Sequence, residues 1–313
     1  MIEAVGLTKR YGEKTAVDGI SFTVRPGLVT GFLGPNGAGK STTMRLIVGL
    51  DRPTSGTVTV AGKRYVDLKA PLHEVGVLLD AKAVHTGRTA RNHLLAMAAT
   101  HGIGRKRVDE VIALTGLQSV ASKRVGGFSL GMGQRLGIAS ALIGDPGILI
   151  LDEPVNGLDP EGVIWVRELA RHLAGEGRTV FLSSHLMSEM AQTADQIIVL
   201  GRGKIIADAP VGDILAQVAG KAVRVRTPDG ARLESLLAPG SADGAGVTVT
   251  RTDPDLLTVG GLTAARIGEL AAGSGIVLHE LTPIAGSLED AYLALTEDEV
   301  EYHAGALETE IAR

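Results

Sequence analysis

Residues 31–42 read GFLGPNGAGKST, with four glycines, one lysine and two hydroxyls in twelve positions. The apolar run Leu28–Leu33 leads into the glycines, and Met44-Arg45-Leu46-Ile47-Val48, at helical spacing and without a breaker, follows them. The order is strand, glycine loop, helix. A loop that opens a helix turns unpaired backbone N–H groups outward at the positive end of the helix dipole, and such a place binds phosphate. The spacing Gly34-x-x-x-x-Gly39-Lys40-Ser41 fits a phosphate-binding loop, in which Lys40 reaches the β- and γ-phosphates and the Ser41 hydroxyl ligates Mg2+. A chain with 42 glycines in 313 residues can match the bare pattern by accident, so the reading needs support from elsewhere.

A length of 313 residues is enough for about two domains with separate cores. Hydrophobic residues make up 44% and charged residues 21%, as in a globular protein. The net charge of −4 gives no sign of nucleic acid as a main partner. The lack of cysteine excludes disulfides and thiolate chemistry. MIEAVGLTKRYG has no basic segment followed by an apolar run, so no signal peptide is expected. The longest apolar stretch, around Ile138–Leu151, is broken by Gly144, Asp145 and Pro146, so the chain is not expected to cross a membrane by itself.

Short strand-like stretches come early, at Ile2–Val5, Ile20–Val24, Val29–Leu33, Thr57–Val60 and Gly76–Leu79. From Thr89 to about Ala141 the apolar spacing turns helical. Gly147–Leu151 is continuously apolar, as a buried parallel strand should be. Strand-like Thr179–Leu182, helix-like Leu186–Ala194 and strand-like Gln196–Leu200 follow. Alternating strands and helices imply an α/β fold with a largely parallel sheet. The texture changes near residues 210–220. Beyond it, strands are expected at Ala222–Arg226, Val247–Arg251, Leu256–Val259 and Ile276–Leu281, and helices at Ala231–Leu237, Thr263–Ala272 and Ser287–Leu295. Ser287 and Asp290 stand at capping-box spacing. This β-α-β-β-α-β order suggests a small α+β domain of ferredoxin-like type, followed by an acidic tail from Glu297.

Ile148–Leu151 ends in two carboxylates. At the edge of a parallel sheet where ligands collect, Asp152 can hold Mg2+ and Glu153 can polarise a water for attack on the γ-phosphate. Taken alone, this is equally a strand with an acidic turn. Ser183-Ser184-His185 leaves a second apolar strand, where a polar side chain can sense the γ-phosphate, although a single histidine is more often structural. FSLGMGQR (residues 128–135) opens a helical run and is a second possible anion site, or simply a capped helix start.

Together these segments resemble the ATP-binding subunit of an ATP-binding-cassette (ABC) transporter over residues 1–215. GPNGAGKS resembles the family's Walker A motif, FSLGMGQR its signature, ILILDEP its Walker B motif, NGLD (Asn156–Asp159) its D-loop and SSH its switch histidine. The resemblance implies a P-loop NTPase of ABC type with an inserted helical subdomain at about 81–141, an accessory domain at 216–300 and a tail at 301–313. It implies ATP and Mg2+ as cofactors. ATP would be held by Tyr11, matching the aromatic that stacks on adenine, by Gly34, Pro35, Asn36, Gly37, Ala38, Gly39, Lys40, Ser41 and Thr42, and by Ser129 and Gly131 of a facing chain. Mg2+ would be held by Ser41, Asp80 and Asp152, with Glu153 and His185 catalytic. The signature departs from LSGGQ at Leu130 and Met132, and Asp80 stands where the family has its Q-loop glutamine. Both departures, with the terminal SLEDAYLALT, resemble the branch serving ABC-2-type exporters and bacitracin or multidrug resistance pumps.

The resemblance further implies a second copy, or a homologous ATP-binding subunit, as partner. It also implies an integral membrane permease, contacted through the Val84–Arg91 surface, and a peripheral place on the cytoplasmic face of the cell membrane. The cargo class would be a drug, peptide or lipid-like molecule. Two alternatives remain at this stage. A soluble ABC ATPase acting on DNA or ribosomes would carry a coiled-coil insertion or two cassettes. A P-loop kinase or GTPase would leave the signature and the histidine unexplained.

Overall fold

The computed structural model describes residues 1–216, 222–237, 247–284 and 287–296. Contacts divide the chain into two compact units, Met1–Val211 and Gly212–Ala294. The residues beyond 296, with the expected acidic tail, lie outside the described residues.

In the first unit the strand entering the glycine loop is β3 (Val29–Leu33), after β1 (Ile2–Tyr11) and β2 (Lys14–Val24), and the helix leaving the loop is α1 (Lys40–Ile47). Next come β4 (Ser55–Val60), α2 (Pro71–Glu74), β5 (Val75–Leu78), α3 (Ala90–Ala99), α4 (Arg105–Leu114) and α5 (Leu130–Leu142). β6 (Ile148–Leu151), α6 (Pro160–Gly175), β7 (Thr179–Ser183), α7 (Met187–Thr193), β8 (Gln196–Gly201) and β9 (Lys204–Pro210) complete it, and α8 (Val211–Ala216) follows. The main sheet has the order β5-β6-β7-β3-β8-β9, parallel except for the β8–β9 hairpin. β3, β6 and β7 are buried along their whole length, which is why they read as mostly apolar runs, with only Thr30, Thr179 and Ser183 polar. A smaller antiparallel sheet, β2-β1-β4, packs on it. The joint is aromatic: three of the chain's four phenylalanines, Phe22, Phe32 and Phe181, stack with ring centroids 5.1–6.0 Å apart. Because the strands are parallel, the chain leaves β3, β5, β6 and β7 at one edge, and the loops carrying Lys40, Asp80, Asp152 and His185 start there.

The second unit holds β10 (Ala222–Arg226), α9 (Gly230–Leu237), β11 (Thr248–Asp253), β12 (Leu256–Gly260), α10 (Ala264–Gly273), β13 (Glu280–Pro283) and α11 (Leu288–Thr296), whose last two residues fall outside the unit. Its antiparallel sheet has the order β11-β12-β10-β13. Val223, Val225, Leu257 and Val259 alternate onto the face that also buries Leu233, Leu237 and Ile267 from the helices. The element order is the β-α-β-β-α-β expected. Ser287 and Asp290 form the reciprocal cap, the Asp290 N–H donating to Ser287 Oγ at 3.0 Å and the Ser287 N–H to Asp290 Oδ2 at 3.1 Å.

Two expectations need correction. The strand expected at Ile276–Leu281 begins only at Glu280. Gly275, at φ 65°, ends α10, and Ile276 donates its N–H to Ala271 O at 2.9 Å, burying its side chain as a helix stop instead of a ladder residue. The helical spacing expected from Thr89 to about Ala141 is present, carried by three helices with turns between them. The first two strands are longer than expected, since β1 runs through Gly6 at φ 55° with register shifts that blur its alternation.

Candidate nucleotide site

Between β3 and α1 the loop comes too close to its neighbours for side chains. A Cβ on Gly34 would lie 2.4 Å from the Leu200 carbonyl oxygen, and one on Gly39 would lie 2.3 Å from that of Ala16. Gly39, at φ 107°, is the N-cap of α1 and supplies no side-chain acceptor, so the first-turn amides keep their donors for another partner. Lys40 heads the helix and is 7% exposed. Its ammonium donates to the carbonyls of Gly34 at 2.6 Å and Pro35 at 3.3 Å, curling back over the loop. Burial lowers the Lys40 pKa below the ordinary lysine value, while Glu153 and Asp152 work against that shift by favouring the charged form.

A cleft of about 380 Å3 opens here, lined by Tyr11, Lys14 and Ala16, by loop residues from Pro35 to Thr42, and by Asp152 and Glu153. Gly34 and Ala38 are buried on the inner side of the loop. Tyr11 stands at the rim with its hydroxyl donating to Asp51 Oδ2 at 2.9 Å, and the Lys9 ammonium lies 4.9 Å from its ring centroid. His185 reaches the site through Glu153, its Nδ1 2.8 Å from Glu153 Oε2.

Ser129, Gly131 and Asp80 are not part of the cleft lining. Ser129 caps α5, accepting the Met132 N–H at 3.2 Å. Gly131 packs against the Asn156–Asp159 turn, where a Cβ would meet the Gly157 carbonyl oxygen at 2.8 Å. Asp80 is exposed and its Oδ1 accepts the Lys82 N–H at 2.8 Å. The register Leu78↔Leu151 nevertheless brings Asp80 and Asp152 off neighbouring strands at the same edge.

Several site residues had no clear signal in the sequence. Ser183 Oγ donates to Asp152 Oδ1 at 2.5 Å and accepts the Glu153 N–H at 2.9 Å. Gln134 Nε2 donates to the Glu153 carbonyl at 2.9 Å. Ser183 was within sight beside His185, but nothing local showed where its hydroxyl would point.

A strand–glycine loop–helix unit with a buried lysine, facing two carboxylates from an adjacent parallel strand, defines a P-loop nucleotide-binding protein. A family model described as ABC transporter matches residues 17–156, and one described as a domain of unknown function (DUF8746) matches residues 221–289. The chain is 44% identical over 213 residues to the bacitracin transport ATP-binding protein BcrA of Bacillus licheniformis, covering 67% of this chain and 70% of that protein. It is 34% identical to the Nod factor export ATP-binding protein I of Rhizobium sp. (strain N33), covering 96% of this chain and 98% of that one. Among solved structures, a dimeric bacterial ABC transporter cassette, MJ0796, aligns with a TM-score of 0.62 at 26% identity, over 67% of this chain and 99% of that one. The chain belongs to the ABC transporter family as an ATP-binding, ATP-hydrolysing subunit of its export branch.

Proposed function

We propose that this protein hydrolyses Mg·ATP as one half of a dimer and so drives a separate membrane permease that exports a drug, peptide or lipid-like molecule. The observation that carries the reading is the cleft. It brings a buried lysine, uncapped helix amides and the Ser41 hydroxyl opposite Asp152 and Glu153. That donor set fits a magnesium nucleotide: cationic and N–H groups for the phosphates, hard oxygens for the metal. Lys40 and the α1 amides hold phosphate charge. Ser41, Asp152 and Asp80 would hold Mg2+, which supplies further charge neutralisation when bound. Glu153 orients a water and accepts its proton, and His185 holds the Glu153 carboxylate in place. Tyr11 offers a ring for the base.

The family's composite site is completed when Ser129 and Gly131 of a second chain face this cleft, and the dimeric cassette among the similar structures supports that assembly. A peripheral position on the cytoplasmic face, beneath the permease, is supported by the relatives, which are ATP-binding proteins of transport systems; among the described residues no helix is long and apolar enough to cross a membrane. The Val84–Arg91 surface is the proposed permease contact, and its Val84 and Thr86 share a groove of about 510 Å3 with Val125, Phe128 and Ser129. The two walls of the groove are joined, since the Gly126 N–H donates to Thr86 O at 2.9 Å. Movement of the permease side is thereby passed to the start of α5.

Replacing Glu153 tests the chemistry. Glu153→Gln is expected to keep Mg·ATP binding, to lose turnover by about 10²–10⁴-fold, and to accumulate an ATP-bound dimer on gel filtration. Turnover near wild type would remove Glu153 from the role. Failure of any membrane protein to co-purify with the chain from its native membrane would favour a soluble ABC ATPase instead.

A further inference from the structure

Glu153 is the one non-glycine residue lining the cleft whose backbone lies in the left-handed region, at φ 50°. A glutamate holds that conformation only where its surroundings over-determine it. Beside the local turn, in which the Asn156 N–H donates to the Glu153 carbonyl at 3.2 Å, three distant partners supply the constraint. Ser183, with no exposed surface, accepts the Glu153 N–H from the end of β7. Gln134, 4% exposed on α5, donates to the Glu153 carbonyl. His185 holds the carboxylate. The Ser183 hydroxyl spends its own proton on Asp152 Oδ1, so one side chain sets both carboxylate residues.

We propose that Ser183 and Gln134 are positioning residues for ATP hydrolysis, clamping the peptide groups on either side of Glu153 and so aiming its carboxylate into the cleft. The proposal rests on the reading of Glu153 as proton acceptor given above. Neither residue lines the cleft; Gln134 acts through Glu153, and Ser183 through Glu153 and Asp152 together. The two arms of the clamp also come from different places. Ser183 belongs to the rigid central sheet, whereas Gln134 sits little more than one turn into the helix that Ser129 caps. A shift of α5 along its axis therefore pulls on the Glu153 carbonyl while β7 keeps the amide fixed. The aim of the carboxylate then depends on where the signature helix stands, and closure of a second chain onto that helix is sensed at the reacting water.

The test uses the full chain carrying Ser183→Ala, Ser183→Thr or Gln134→Met, alone and combined with Glu153→Gln. Mg·ATP affinity is followed with a fluorescent ATP analogue, and kcat and KM by phosphate release. Ser183→Ala and Gln134→Met are each expected to lower kcat by about 10–100-fold, the scale for a misplaced reacting group, with affinity and KM within about twofold of wild type for Gln134→Met, which does not touch Asp152. Ser183→Thr keeps the hydroxyl and is expected to recover most of the rate. In the Glu153→Gln background Gln134→Met should not lower single-turnover hydrolysis further, because the group it aims is gone, whereas Ser183→Ala retains the part of its effect that runs through Asp152. Wild-type kcat in both Ser183→Ala and Gln134→Met, or a Gln134→Met loss that multiplies in full with that of Glu153→Gln, would overturn the clamp. Gln134→Met keeps the question open to test if the buried Ser183→Ala chain does not fold. Near-normal turnover in Glu153→Gln alone is a different result, and would refute the reading on which the clamp rests.

Discussion

Two helices of the nucleotide-binding unit begin at glycine-rich loops, and they treat their first turns in opposite ways. α1 starts from Gly39, which has no side chain with which to cap it, and its first residue is the buried Lys40. α5 starts from Ser129, whose hydroxyl takes the Met132 N–H, and its first residue is Leu130, 53% exposed. Both loops look alike as glycine, serine and a following apolar run. The difference lies in who satisfies the orphan amides. The first helix leaves them for a ligand and places a cation beside them. The second satisfies one itself and presents its surface outward, so its part in the chemistry has to be played toward another molecule.

The sharpest way to break this contrast is to remove one partner from each helix. Lys40→Ala should weaken Mg·ATP binding by about 100-fold, since hydrogen bonds to charged groups contribute roughly 1.5–3 kcal/mol and each 1.4 kcal/mol is tenfold. Ser129→Ala should leave the affinity of the dilute chain unchanged. Equal losses in the two titrations would mean that α5 also binds nucleotide within its own chain.

Mixing follows from the same contrast. Ser129→Arg protein and Lys40→Ala protein should each be inactive alone. Combined, each mixed dimer keeps one intact pairing of Lys40 with a facing Ser129, so part of the ATPase activity should return. Full activity in a strictly monomeric preparation would contradict the composite site.

A smaller effect is expected where the α5 start meets its own chain. Gly157 has φ 73°, and a Cβ there would fall 2.3 Å from Leu130 Cδ2. Gly157→Ala should cost about 1–3 kcal/mol in thermal unfolding of the chain, from backbone strain and overpacking together. Adding Leu130→Gly should recover the packing part only. No recovery in the double variant would separate Leu130 from Gly157.

The smallest effect is assigned to Asp80. Like charges near a shared metal disfavour one another unless the cation lies between them. Asp80→Gln is expected to lower modestly the Mg2+ concentration needed for half-maximal ATPase activity. Superimposed titrations would confine Asp80 to the turn in which it accepts the Lys82 N–H.

Much of the α/β unit was legible because its signals are local. A fully buried parallel strand is mostly apolar; β6 is wholly so, and β3 and β7 carry only Thr30, Thr179 and Ser183 as polar residues. The hairpin strand β9 was not expected: KIIADAP lies at the sheet edge, half exposed, with no clean alternation. Its turn, through Arg202 at φ 44° and Gly203 at φ 81°, shows only in the backbone. In the second unit, Ile276 and Leu278 carried the right residue types for a strand, but helix termination claimed the first of them.

By itself the sequence determined the phosphate loop, the order of the motifs and the alternation of layers. Those depend on spacing along the chain and on glycine where no Cβ fits. Only the tertiary structure decided how Glu153 is held, because its partners Gln134 and Ser183 lie 19 and 30 residues away along the chain. A hydroxyl or an amide carries no mark of its partner until the sheet edge and the start of α5 are brought together. Burial then makes the pairing compulsory, since an unsatisfied polar group there would cost about 1–3 kcal/mol.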